Sequence, residues 1–216
     1  MIVRWALSLP VTLVIMACSP VPPPETAAAP PNFEQTDPAD ADEHLLVPVG
    51  FGSLRQDDFS VEITDAGIHV KVTPLSETVI RLAAPDTYER LHALAWSRRN
   101  AVERALEEGE TGQLFLVSFF SRQPNVEYRP EELQITHRGR TVRTAGIIPL
   151  TAGWGRHLVQ PQQAQSAIYV FAAEFDYGLP ITFRYGLRQS DDWHREVLPR
   201  LDDERTRVLA RAQARP

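Results

Sequence analysis

The run Leu114-Phe115-Leu116-Val117-Ser118-Phe119-Phe120 constrains the fold more than any other stretch of this chain. Successive residues of a strand point to opposite faces, and here both faces are largely apolar. Such a run predicts a central strand covered on both sides. Candidate neighbours recur along the sequence. Phe59, Val61 and Ile63 alternate with Ser60, Glu62 and Thr64, and beyond Asp65-Ala66-Gly67, Ile68, Val70 and Val72 alternate with His69, Lys71 and Thr73. Period-two alternation around a glycine-containing turn predicts a hairpin whose polar face, with Glu62, His69 and Lys71, meets water. Glu132 to Thr136 and Thr141 to Ile148 predict strands around Arg138-Gly139-Arg140, and Ala167 to Phe175 and Ile181 to Tyr185 add two more. Asn125 to Pro130 reads as a loop.

Helical periodicity occupies two places. Thr73 and Pro74 are suited to open a first helix over PLSETVIRLA, and Pro85 to open a longer one ending before Gly109. Tyr88, Leu91, Ala95, Val102 and Leu106 form its apolar stripe, while Trp96 lies off it. Near the C-terminus Ser190 is a cap for a helix bearing Trp193, Val197, Leu201 and Val208, with Pro199 placed to kink or divide it. The expected fold class is α+β: an antiparallel immunoglobulin-like β-sandwich with a helical insertion at about 74–108 and a C-terminal helix at about 191–213. One domain over 45–216 accommodates all of it. "Immunoglobulin-like" describes architecture alone, because the chain has one cysteine and hence no disulfide pair.

That cysteine ends a distinct segment. MIVRWALSLPVTLVIMAC has Arg4 as its only charge, and its apolar run is shorter than the ~20 residues a spanning helix needs. A positive start followed by a short apolar stretch is the pattern of a secretion signal. Ile15-Met16-Ala17-Cys18 resembles the lipobox of bacterial lipoproteins, with Met16 departing from the usual small residue. The resemblance implies cleavage of a 1–17 signal peptide and acylation of the Cys18 thiol. Two or three acyl chains give a stable anchor where one is marginal. By the same resemblance, Ser19 in place of Asp implies an outer-membrane location facing the periplasm. The alternative is an ordinary secretion signal with an incidental cysteine.

Residues 18–44 then form an expected disordered linker. Positions 19–44 hold seven prolines, six acids and no Lys or Arg. The net charge of -6 belongs to this leader: residues 19–58 carry eight acids and one base, whereas 59–216 carry 20 of each sign. A formally neutral body argues against a general nucleic-acid binder.

No HExxH, GxSxG, Walker or dinucleotide motif is present, and no catalytic residue, metal site or cofactor is expected. Asp191, Asp192 and His194 come nearest to an acid/base group, but consecutive helical positions diverge. Trp154, between Gly153 and Gly155, together with Trp96 and Tyr177, are candidate binding residues. The plainer reading of Trp154 is an indole folded over the end of the sheets. Gln160, Gln162, Gln163 and Gln165 read as a polar loop, whose amides would suit a carbohydrate surface and equally any solvated connection. The expectation is an envelope lipoprotein with a non-enzymatic interaction or assembly role, attached to the membrane by its lipid and partnered by another envelope protein. A ligand-binding module for a small molecule or glycan is the alternative, and an envelope hydrolase is third.

Overall fold

The computed structural model describes residues 46–107 and 110–214. The chain divides into Met1–Gln35 and Thr36–Pro216, and every described residue belongs to the second unit. The signal segment 1–17 and the Cys18-to-44 linker lie outside the described residues.

The apolar run forms β3, Gln113–Phe120, the middle strand of five. On one side lies the predicted hairpin of β1, Val61–Asp65, and β2, Ile68–Pro74. Its two-residue turn places Ala66 at φ 46° and Gly67 at φ 84°. Positive φ at both positions matches the right-handed strand twist. On the other side of β3 lies β9, Ala164–Phe171, followed by β7, Gly146–Pro149, at the edge. A four-stranded sheet runs in the order β11 (Arg188–Ser190), β10 (Ile181–Tyr185), β5 (Gln134–His137), β6 (Arg140–Val142). Short strands β4, Val126–Glu127, and β8, Leu158–Val159, pair with each other. All pairings among these strands are antiparallel.

Aromatic side chains from the two larger sheets meet between them. Phe115 lies edge-on to Phe171, Phe175 and Phe183 at centroid distances of 5.5, 5.5 and 6.0 Å. Phe119 stacks on Tyr128 at 4.6 Å and tilts against Tyr185 at 5.6 Å. Edge-on and offset pairs suit the ring quadrupole and add ~0.5–1.5 kcal/mol each beyond area burial.

The opposite face of the five-stranded sheet is covered at one end by helices α1 (Glu77–Ile80), α2 (Pro85–Ser97) and α3 (Arg99–Glu103). After α3 the chain returns to the sheet: Ala105 packs on Gly146, and Leu106 and Val170 close on Gly112. Beyond β11, a π-helical turn at Trp193–Val197 leads into α4, Leu198–Gln213.

Several sequence expectations are corrected here. Pro74 ends β2, paired with Phe115, and does not open a helix; helix begins only at Glu77. The longer helix breaks at Arg98, where φ −107° and ψ 2° leave the helical region. The predicted strand Thr141–Ile148 is two strands in different sheets, with Arg143-Thr144-Ala145 carrying the chain across. Glu131 and Glu132 lie in a 3-10 turn, so β5 starts at Gln134. The division at Pro199 takes the form of the π turn. There the Leu198 N–H donates to the Trp193 carbonyl five residues back.

The segment before β1 ties these parts together. Gly52 runs so close to Leu82 that a Cβ there would sit 2.3 Å from its carbonyl carbon, and the Leu54 N–H donates to the Leu82 carbonyl. Ser53 donates through both its N–H and its hydroxyl to Glu204 Oε1, at 2.9 and 2.8 Å. Arg211 donates to the same oxygen at 2.8 Å. Burial pushes the Glu204 carboxyl up, but Arg211 and Ser53 outweigh it and hold the group below the usual carboxylate range. Glu204 is 1% exposed, so replacing its charge removes charge-assisted bonds that water does not restore. Glu204→Gln is expected to lower unfolding stability by about 2 kcal/mol, read from urea melts. An unchanged midpoint would show the clamp to be dispensable.

Candidate binding face

The helical cover stops partway along β3, and the rest of that sheet face is open. Register places Thr64, His69, Phe120 and Ala164 in one row across the sheet, and Glu62, Lys71, Ser118 and Ser166 in the next. In the second row Lys71 sits 3.3 Å from Glu62 and 2.6 Å from Asp57. Partial burial lowers the Lys71 pKa, but these acids outweigh it and hold the ammonium above its usual range. Ser118 and Ser166 share a hydroxyl hydrogen bond of 2.8 Å.

The first row shapes a cleft. His69 and Phe120 stack at 4.9 Å with planes 10° apart, and Thr64 Oγ1 lies 2.9 Å from His69 Nδ1, which fixes the imidazole. His69 covers the Phe120 face toward β2. Toward β9 the residue opposite Phe120 is Ala164, whose methyl leaves space. That space is an open cleft of about 490 Å³, lined by Phe120, Ser121, Arg122, Pro161, Gln162 and Gln163 as well as Ala164. The cleft is thus lined by an aromatic residue and by a turn that carries two glutamines. Gln162 adopts φ 63°, and the turn closes through a Gln163 N–H to Gln160 carbonyl bond.

The four glutamines therefore separate by role. Gln165 is buried and accepts from the Thr151 hydroxyl at 2.7 Å; Gln160 donates to Asn125 Oδ1 at 2.6 Å. Only Gln162 and Gln163 line the cleft. Phe120 was not singled out from the sequence, since it reads as one more apolar strand residue. The signal that finds it is the small Ala164 opposite.

The structure does not bring the three candidate aromatics together. Trp154 is 7% exposed and packs against Phe119, Tyr128 and Tyr169. Tyr177 is 3% exposed, sits among Phe115, Phe175 and Trp193, and donates to Gln113 Oε1. Trp96, on the last turn of α2, is 63% exposed with the Arg99 guanidinium 4.3 Å over its ring. None of the three lines the cleft beside Phe120.

Acid and histidine side chains serve local structure. His92 donates from Nδ1 to Glu77 Oε1 at 2.7 Å, and Arg81 donates to Oε2 at 2.7 Å. Burial raises the Glu77 pKa, but Arg81 and His92 outweigh it and hold the carboxyl below its usual range. Asp192 pairs with Arg195 at 2.7 Å, and its N–H donates to Ser190 Oγ, while Asp191 accepts from Thr182. Two further clefts, along β1 and β11, are lined by charges of both signs, including Arg129 with Glu132 and Arg188 with Asp65. Among the described residues, no group of three or more His, Cys, Asp or Glu side chains is placed to hold a metal ion. Nor is any helix among them long and apolar enough to cross a membrane. No protein-family model, curated protein or solved structure matches this chain.

One histidine is tuned by the fold. His137 is 5% exposed, and its Nε2 accepts the Asp176 N–H at 3.2 Å. The ring proton therefore sits on Nδ1, facing the Pro180 carbonyl at 3.4 Å. Burial, reinforced by Arg138, pushes the His137 pKa below its ordinary value. The unfolded chain takes up this proton first, so stability present above pH ~6.5 is lost as pH falls toward the lower folded value. Melting temperature is expected to drop between pH ~7.5 and ~5.5, above the carboxylate range. His137→Gln keeps an acceptor for Asp176, and its melting temperature should fall less over that interval. Equal slopes in the two proteins would exclude His137 as the cause.

Proposed function

We propose that this chain is a membrane-anchored envelope lipoprotein with a non-enzymatic binding role. Lipid on Cys18 attaches it, on the outer membrane facing the periplasm, and the folded body holds a saccharide in the cleft beside Phe120. We read the two larger sheets as an immunoglobulin-like β-sandwich, for which a solved structure should give strand directions within ~30° of each other.

The observation that carries the binding role is the Phe120 ring. It stacks on His69 and lines the cleft that Gln162 and Gln163 also line. An aromatic face is negative, so it attracts the slightly positive C–H face of a pyranose. Each primary amide offers two donors and an acceptor, which suits ring hydroxyls. Few convergent polar groups around an apolar wall is the usual composition of a ligand site. A second reading, docking of another envelope protein, is favoured by Leu187, a hairpin-tip residue that is 96% exposed.

The anchor is tested by fatty-acid labelling in cells: label enters the wild type and is expected to vanish in Cys18→Ser. Persistent labelling would overturn the lipobox assignment. The cleft is tested by calorimetric titration with chitohexaose, maltohexaose and soluble peptidoglycan fragments. One saccharide class should bind, and Phe120→Ala should weaken it at least tenfold, a loss of ~1.4 kcal/mol. If no saccharide binds, while crosslinking in intact cells recovers a protein that Leu187→Ser loses and Phe120→Ala keeps, the protein partner is the correct reading.

A further inference from the structure

The corner between α2 and α3 carries a different surface. Residues 96–100, Trp96-Ser97-Arg98-Arg99-Asn100, are exposed without interruption, and so is Arg104 one turn on. Ten of the nineteen described arginines make an ion pair, among them Arg81 with Glu77, Arg129 with Glu132, Arg138 with Asp176, Arg195 with Asp192, Arg205 with Asp202 and Arg211 with Glu204. Arg98, Arg99 and Arg104 make no ion pair with any described residue. Arg104 donates only to the Asn100 carbonyl, and Arg99 only covers the Trp96 ring. Within 96–104 Glu103 is the one acid against three arginines; Glu107 and Glu110 follow beyond Leu106, also exposed.

We infer that this corner is a contact site for an anionic lipid surface, with Trp96 entering the headgroup layer and Arg98, Arg99 and Arg104 meeting lipid phosphates. The helix bend at Arg98 makes the corner, since it ends α2 and turns the chain into α3. An indole is favoured at a membrane–water interface, and this one is 63% exposed. Arg99 is already poised over the ring and can pass from the indole to a phosphate without leaving the surface. The charge complementarity selects anionic over zwitterionic lipid, because each basic residue near an anionic surface contributes attraction that salt screens. The site lies on the body and is independent of Cys18.

The experiment uses residues 18–216 carrying Cys18→Ser, so that neither an acyl chain nor the apolar 1–17 segment with its Trp5 contributes. It is mixed with vesicles of phosphatidylglycerol and phosphatidylcholine in equal parts, or of phosphatidylcholine alone, and sedimented. Binding should favour the anionic vesicles and weaken as salt rises from 50 to 300 mM. Arg98→Gln and Arg99→Gln should each reduce partitioning about fivefold. Brominated lipid should quench part of the tryptophan emission, and that part should disappear in Trp96→Phe, whose other body tryptophans, Trp154 and Trp193, are buried. Absence of binding, equal binding to both vesicles, or anionic binding and quenching untouched by these substitutions would each overturn the assignment. Binding to an acidic protein or to heparin without binding to vesicles would do the same.

Discussion

The rest of the molecule is arranged around a strand with no solvent face to spare. β3 must be covered on two sides, and the chain uses two different materials to do it. Phe115 and Phe119 meet the aromatic side chains Phe183 and Tyr185 of the four-stranded sheet. At the other face Leu116 is buried, and the segment after α3 closes on the sheet through Ala105 at Gly146 and Leu106 at Gly112. Along that face the residues change from Leu114 and Leu116 to Ser118 and Phe120.

This explains which parts of the fold were legible. The β1–β2 hairpin was readable because strict alternation flanks a turn whose two residues accept positive φ. The split of Thr141–Ile148 was not, because strand propensity says nothing about which sheet a residue joins. Arg143-Thr144-Ala145 changes sheets only because β6 finds β5 and β7 finds β9. Pro74 was ambiguous for a chemical reason: a missing N–H is equally harmless at the first turn of a helix and at the end of a strand. Pairing with Phe115 decided it.

The candidate site was half legible for similar reasons. Gln162 and Gln163 stood out with Gln160 and Gln165, but only partners far along the chain, Asn125 and Thr151, remove the latter two from solvent chemistry. Trp154 and Trp96 are both tryptophans near helix or turn residues, yet one lies in the core and the other in solvent. Composition cannot separate them, since burial is a property of what packs around a residue. Glu77 was likewise invisible as a partner of His92, fifteen residues away and on another helix.

Charge shows the same economy, and it gives the two proposed surfaces a common logic. A body with 20 acids and 20 bases can pair its charges internally, and ten of the nineteen described arginines do so. Where the pairing is deepest, at Glu204, it joins the segment before β1 to α4. Among the described residues, Arg90, Arg122, Arg140, Arg143, Arg156 and Arg184 stand unpaired at separate places, whereas Arg98, Arg99 and Arg104 stand unpaired together at one corner of the insertion. That insertion and the cleft beside Phe120 lie on the same side of the five-stranded sheet.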